Sequence, residues 1–189
     1  MQIEPQSIPE VLLITPRRFG DDRGFVSETF RISRLAEAGV ALPFVQDNHT
    51  FSAAAGTVRG LHAQQAPSVQ GKLIRVTRGA IWDVAVDVRH GSPSFGRHVA
   101  AELSAENWRQ LWIPPGFLHG LCTLVDDTEI VYKMACSEYA PATECGALWN
   151  DPDLALPWPV PPEKAILSEK DRARPRLAEC PAWFTYEFA

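Results

Sequence analysis

The stretch Ile81-Trp82-Asp83-Val84-Ala85-Val86-Asp87-Val88 decides the fold class. Trp82, Val84, Val86 and Val88 share one face of an extended chain, and Asp83, Ala85 and Asp87 share the other, which is the two-residue period of a strand. Outward from it the same texture recurs. Short apolar or alternating runs at 11–14, 24–30, 72–77, 98–103, 110–113, 121–124 and 129–134 predict further strands, punctuated by the chain's 16 prolines and 12 glycines. Many short strands at such spacing predict an all-β sandwich or barrel. Helical signal is confined to a short candidate at 33–38 closed by Gly39, and a turn is expected at 104–107. The last forty residues hold Pro152, Pro157, Pro159, Pro161, Pro162 and Pro175. Proline cannot donate to a ladder, so a wrap of loop and short turns over about 152–189 is expected rather than a second domain.

Length and composition bound the rest. A chain of 189 residues fits one domain, 1–189, with a short surplus, and can bury roughly 70% of its unfolded surface. Its 46% hydrophobic and 22% charged residues are ordinary for a globular protein, far from the composition of disorder. A net charge of −5 argues against binding nucleic acid through phosphate neutralisation, while leaving room for a local basic pocket. No apolar run approaches the ~20 residues of a membrane span, and the N-terminus lacks the pattern of a secretion signal. Cys122, Cys136, Cys145 and Cys180 form no C-x-x-C pair and read as small buried hydrophobes. A soluble, cytoplasmic, reduced protein is expected.

Chemistry-bearing residues gather at Arg23, Glu28, Gln46 to Asn48, Arg59 to His62, Lys72, Asp83, His119, Tyr132, Glu144 and Lys170-Asp171. For any one of them solvent exposure is the default. His62, Lys72 and Tyr132, however, interrupt or flank apolar strand text, in a fold whose barrel mouth is a natural ligand site. Pro114-Pro115-Gly116-Phe117-Leu118-His119 fits the proline-glycine turn and histidine of a cupin-like jelly roll, the double-stranded β-helix barrel. A metal-binding version needs an H-x-H pair and a carboxylate upstream. Here that stretch reads Arg59-Gly60-Leu61-His62, with one histidine and a fixed positive charge, so no metal is expected.

The ordered stretches Phe19 to Phe25, Gln46-Asp47-Asn48-His49, Arg59 to His62, Gln70-Gly71-Lys72-Leu73, Asp83 to Asp87, Ile113 to Gly120, Tyr132-Lys133, Trp149-Asn150-Asp151 and Ser168-Glu169-Lys170-Asp171 together resemble the dTDP-4-dehydrorhamnose 3,5-epimerase family. The resemblance implies a cofactor-independent isomerase. The family's substrate is a dTDP-linked 4-keto-6-deoxy sugar, whose C3 and C5 protons lie alpha to the ketone. It implies His62 as base, Asp171 as its partner, Lys72 holding the enolate oxygen and Tyr132 as the acid on the opposite face. It further implies substrate contacts from Arg23, Glu28, Gln46, Asp47, Asn48, Arg59, Lys72, His119, Tyr139, Glu144 and Lys170. Homodimers of the family exchange N-terminal strands, which would take Arg23 and Glu28 to the partner's site.

Two departures stand out. Position 63 is alanine where the family usually reads histidine, tyrosine, glutamine in succession, and Tyr132 and Tyr139, the residue matched to stacking on the thymine, are seven positions apart instead of six. Beside double epimerisation on the route to dTDP-rhamnose stand two alternatives: a mono-epimerase of another deoxysugar, or a non-catalytic sugar-nucleotide-binding barrel.

Overall fold

The computed structural model describes residues 1–186. In chain order its strands are β1 (Gln2–Pro5), β2 (Leu12–Thr15), β3 (Arg18–Asp21), β4 (Gly24–Ser27), β5 (Phe44–Ser52), β6 (Val58–Gln64), β7 (Gly71–Arg78), β8 (Ala80–Asp87), β9 (Arg89–His90), β10 (His98–Ser104), β11 (Gln110–Ile113), β12 (Phe117–Thr123), β13 (Thr128–Ala135), β14 (Glu144–Gly146) and β15 (Phe184–Thr185). Two short helices, α1 (Ile32–Glu37) and α2 (Glu169–Arg172), join them. A six-stranded antiparallel sheet runs β1-β2-β11-β7-β13-β5 and faces a five-stranded one, β10-β8-β12-β6-β14. β3 and β4 form a separate hairpin.

The core lies between the sheets. Ile74, Val76, Leu111 and Ile130 from one sheet meet Ile81, Ala85, Leu103 and Phe117 from the other, all essentially buried. Continuous strand text on β8 has a separate cause. Val84 and Val86 point to the outer face, where Leu154, Leu156, Trp158, Leu177 and Trp183 of the C-terminal segment cover them. The proline-rich tail, as far as residue 186, lies over that outer face; the last three residues of the expected wrap, 187–189, lie outside the described residues. It consists of loop, short 3-10 turns, α2 and the two-residue β15, which pairs in parallel with β9. On the other outer face Leu35 of α1 is buried against Leu12, Leu73 and Trp112.

β5 and β6, the two longest elements not expected from the sequence, are the ones that carry site residues. On β5 the usual polarity is inverted. Gln46, Asn48 and Thr50 turn inward, while Val45 and Phe51 face out, 43% and 52% exposed. Inward polar residues lower the apolar signal without breaking the two-residue period.

All four cysteines are free. Cys122 and Cys145 are buried as expected, and burial pushes both thiols up to about 11; Cys136 and Cys180 are only half-buried. No helix among the described residues is long and apolar enough to cross a membrane.

Candidate active site

A bulge in β6 builds one wall of the site. Against β12, His62 pairs with His119 and Arg59 with Leu121, so three steps on β6 span two on β12. That extra residue brings Arg59 and His62 onto the same face, which an uninterrupted strand would forbid. Gly60 makes the bulge feasible. Its φ is +106°, and a side-chain carbon there would sit 2.4 Å from the His119 carbonyl oxygen. The facing wall comes from β7 and β13, where Lys72 and Tyr132 continue the inward rows of Ile74 and of Ile130.

Between these walls lies a depression with two lobes of about 390 and 250 Å³. His62, Lys72, Tyr132, Thr50 and Glu144 line both. The first lobe continues past Gln46, Asn48 and Tyr139, the second past Arg59, His119, Lys170 and Asp171.

Electrostatics divides the labour. Burial, reinforced by the charges of Lys72, His119, Arg174 and Lys170, holds His62 well below its usual value, so the ring stands as a free base at neutral pH. Burial also pulls Lys72 down to about 8, against the opposing pull of Asp83 and Glu144. At pH 7 it remains mostly an ammonium, in surroundings that exclude water and strengthen its field. Arg59 donates to the Phe51 carbonyl and Ser52 Oγ at 3.3 and 3.2 Å, while its buried Nε has no partner among the described residues. Glu144 is a hub. Its Oε1 accepts from Arg174 and, at 2.7 Å, from Lys170, and its Oε2 from the Tyr139 hydroxyl at 3.0 Å. Burial raises the Glu144 carboxyl, but those donors and charges outweigh it and hold the group below its usual range.

A family model described as dTDP-4-dehydrorhamnose 3,5-epimerase matches residues 5–179. The chain belongs to the dTDP-4-dehydrorhamnose 3,5-epimerase family. An enzyme of that description from Sinorhizobium fredii is 50% identical over 186 residues, covering 98% of this chain and 94% of its own. The Bacillus anthracis epimerase, solved with TDP and PPi bound, is 48% identical with a TM-score of 0.88, covering 93% of this chain and 98% of that one. The Legionella pneumophila epimerase, solved in complex with dTDP-4-keto-L-rhamnose, is 42% identical with a TM-score of 0.93, covering 99% of each. Those neighbours accord with the cupin-like, all-β architecture and its few short helices.

Of the residues the epimerase resemblance nominated, His62, Lys72, Tyr132, Gln46, Asn48, Arg59, His119, Tyr139, Glu144, Lys170 and Asp171 converge on the two lobes. Asp47 does not. Strand alternation turns it outward between Gln46 and Asn48, where its carboxylate accepts from Lys133 Nζ at 2.8 Å. Arg23 and Glu28 lie away from both lobes, paired with Asp21 and Arg31 respectively. Asp171 reaches the second lobe, but its carboxylate accepts from Ser168 Oγ at 2.8 Å and makes no hydrogen bond to His62. In the second lobe the histidine that holds a carboxylate is His119, whose Nε2 lies 2.7 Å from Asp83 Oδ1; His49, lining the first, lies 3.0 Å from Glu129 Oε2. Asp83 and Asp87 are both fully buried, against the default of exposure.

The segment leading to Tyr139 is irregular from the end of β13 onward. Pairing shifts register between Met134 and Ala135, Cys136 adopts φ 75°, and Tyr139 still reaches the first lobe, its N–H donating to Gln46 Oε1 at 2.8 Å. Sequence reasoning missed Gln64, Thr50 and Arg174. Gln64 was within reach, two positions beyond His62 on the same face. Arg174 sits in irregular chain with no period to read.

Proposed function

We propose that this chain converts dTDP-4-dehydro-6-deoxy-D-glucose to dTDP-4-dehydro-L-rhamnose by inverting C3 and C5, with the work divided between its two sheets. The observation that carries the reading is that His62 and Tyr132 line one cavity from opposite sheets, with Lys72 in the same cavity. His62, held neutral, takes the proton alpha to the ketone. The Lys72 ammonium offsets the charge growing on the C4 oxygen of the enolate. The Tyr132 hydroxyl delivers a proton to the other face, and solvent refills it. Asp171, already in the second lobe, is the carboxylate available to the imidazolium once His62 is charged. Arg59 and Lys170 offer fixed charge to the diphosphate, and Tyr139 flanks the nucleotide end.

A homodimer completes the reading. The β3–β4 hairpin exposes Phe19, Phe25 and Val26 at 58%, 54% and 75%, an apolar surface suited to a second copy of this chain. It also carries Arg23, and Glu28 follows it, so docking would deliver both to the partner's site. Light scattering should give twice the chain mass, and Val26→Asp should yield monomer. Four free cysteines accord with a reducing, cytoplasmic setting.

Proton NMR of the dTDP-4-keto sugar incubated with enzyme in D2O tests the function. Deuterium entering both C3 and C5 with inversion is the expected result. Exchange at one carbon alone marks a mono-epimerase, and no exchange marks a silent binding barrel.

A further inference from the structure

Asp83 stands behind the site, unused by the chemistry above. It is fully buried on β8, between the apolar side chains of Ile81 and Ala85 on the same strand face. Its Oδ1 lies 2.7 Å from His119 Nε2, and its Oδ2 has no hydrogen-bond partner among the described residues. A carboxylate half-satisfied in a barrel interior is costly unless cations face it. Two groups do: the His119 ring by direct contact, and the Lys72 ammonium, whose proton the Asp83 charge helps retain against burial. Both line the second lobe, which Asp83 itself does not.

We propose that Asp83 is a positioning residue for the epimerisation: it pins His119 with its Nε2–H turned into the barrel core, so that Nδ1 is the polar atom offered to the sugar, and it supplies the counter-charge that keeps the Lys72 ammonium in the lobe. The proposal rests on the epimerase reading of the cavity. Hydrogen-bonding one ring nitrogen to a fixed carboxylate sets the tautomer at the other. The remaining titratable and charged groups around Lys72 and His119 are His62 and Arg59 on β6, Tyr132 on β13, Glu144 and Cys145 on β14, and Lys170 and Asp171 on α2.

Asp83→Asn keeps the volume and removes the charge. The expected result is a kcat at least about 10-fold lower, with dTDP affinity in calorimetry within about twofold of wild type. The alkaline limb of the kcat profile should move to lower pH, because Lys72 loses a counter-charge that raises it. An unchanged kcat and alkaline limb overturns the proposal. A dTDP affinity that falls in step with kcat overturns it too, because that is the mark of a collapsed site. Nitrogen-15 NMR of the unliganded wild-type enzyme reads the tautomer directly: a proton on His119 Nε2 supports the assignment, and a bare Nε2 contradicts it whether or not the variant folds. A wild-type enzyme that washes no deuterium into C3 or C5 removes the epimerase reading, whereas the tautomer is decided without substrate.

Discussion

Asp83 and Asp87 lie four residues apart on one face of β8, both fully buried, and their surroundings treat them in opposite ways. Asp87 is saturated. Its Oδ2 accepts from Ser92 Oγ and Ser94 Oγ at 2.6 Å each and from Arg89 Nη2 at 2.7 Å, and its Oδ1 accepts from Arg89 Nε and the Arg89 backbone N–H. Arg89 in turn bonds Glu10 at 3.0 Å and stacks on Phe117 and Tyr186. Asp83 has one partner and a spare oxygen, beside a cavity lined with cations. The same residue type on the same strand thus serves stability at one end of the barrel and chemistry at the other, and what separates the roles is how completely the carboxylate is hydrogen-bonded.

The largest expected effect belongs to the site end. His62→Ala removes the proposed base that faces Tyr132 across the cavity, so turnover should fall by roughly 10² to 10⁴-fold or more. Deuterium wash-in should vanish with it, because no enolate forms. Thermal unfolding should hardly move, since the His62 side chain makes no hydrogen bond among the described residues.

The other end should answer in reverse. Asp87→Ala takes the buried carboxylate from a half-buried Arg89 and two buried hydroxyls, at an expected cost of about 3–5 kcal/mol in denaturant unfolding, while kcat per folded molecule stays near wild type. Burial raises the Asp87 carboxyl, but its donors outweigh that and hold it below the usual range. Its contribution is therefore complete above about pH 4, the unfolded value, and is lost as pH falls through the folded one. A variant that loses activity but not stability would erase the contrast between the two carboxylates.

Smaller effects sharpen it. Arg59→Ala should weaken dTDP binding by roughly 1.5–3 kcal/mol through loss of a charge-assisted contact; unchanged affinity in calorimetry takes Arg59 out of the binding site. The pH profile of kcat should keep its acid limb below the usual histidine value near 6.5, because His62 resists protonation. It should fall on the alkaline side near 8, as Lys72 loses its proton. An acid limb above 6.5 would speak against His62 as the base.

How much was legible follows the same division. Strands with an apolar row along one face, such as β8, β10, β11 and β13, were readable from period alone, and α1 to within a residue. β5 and β6 were not, because a strand facing a polar cavity inverts its pattern, and the β6 bulge shifts the period by one. Most residues that the family motifs nominated line one cavity, but the motifs treated Gln46-Asp47-Asn48 as a block, where a strand can turn only the first and third inward. The Asp83–His119 pair is 36 residues apart in the chain. Nothing local signals it; only the register of β8 against β12 does.

The most direct test of the two-sheet account is Tyr132→Phe assayed by NMR of the dTDP-4-keto sugar in D2O. The substitution keeps the ring and His62 but removes the donor hydroxyl on the opposite wall. The recovered sugar should carry deuterium at C3 or C5 with its original configuration, returned from the His62 face, and little inversion. Inversion at the wild-type rate would contradict the assignment of base and acid to facing sheets.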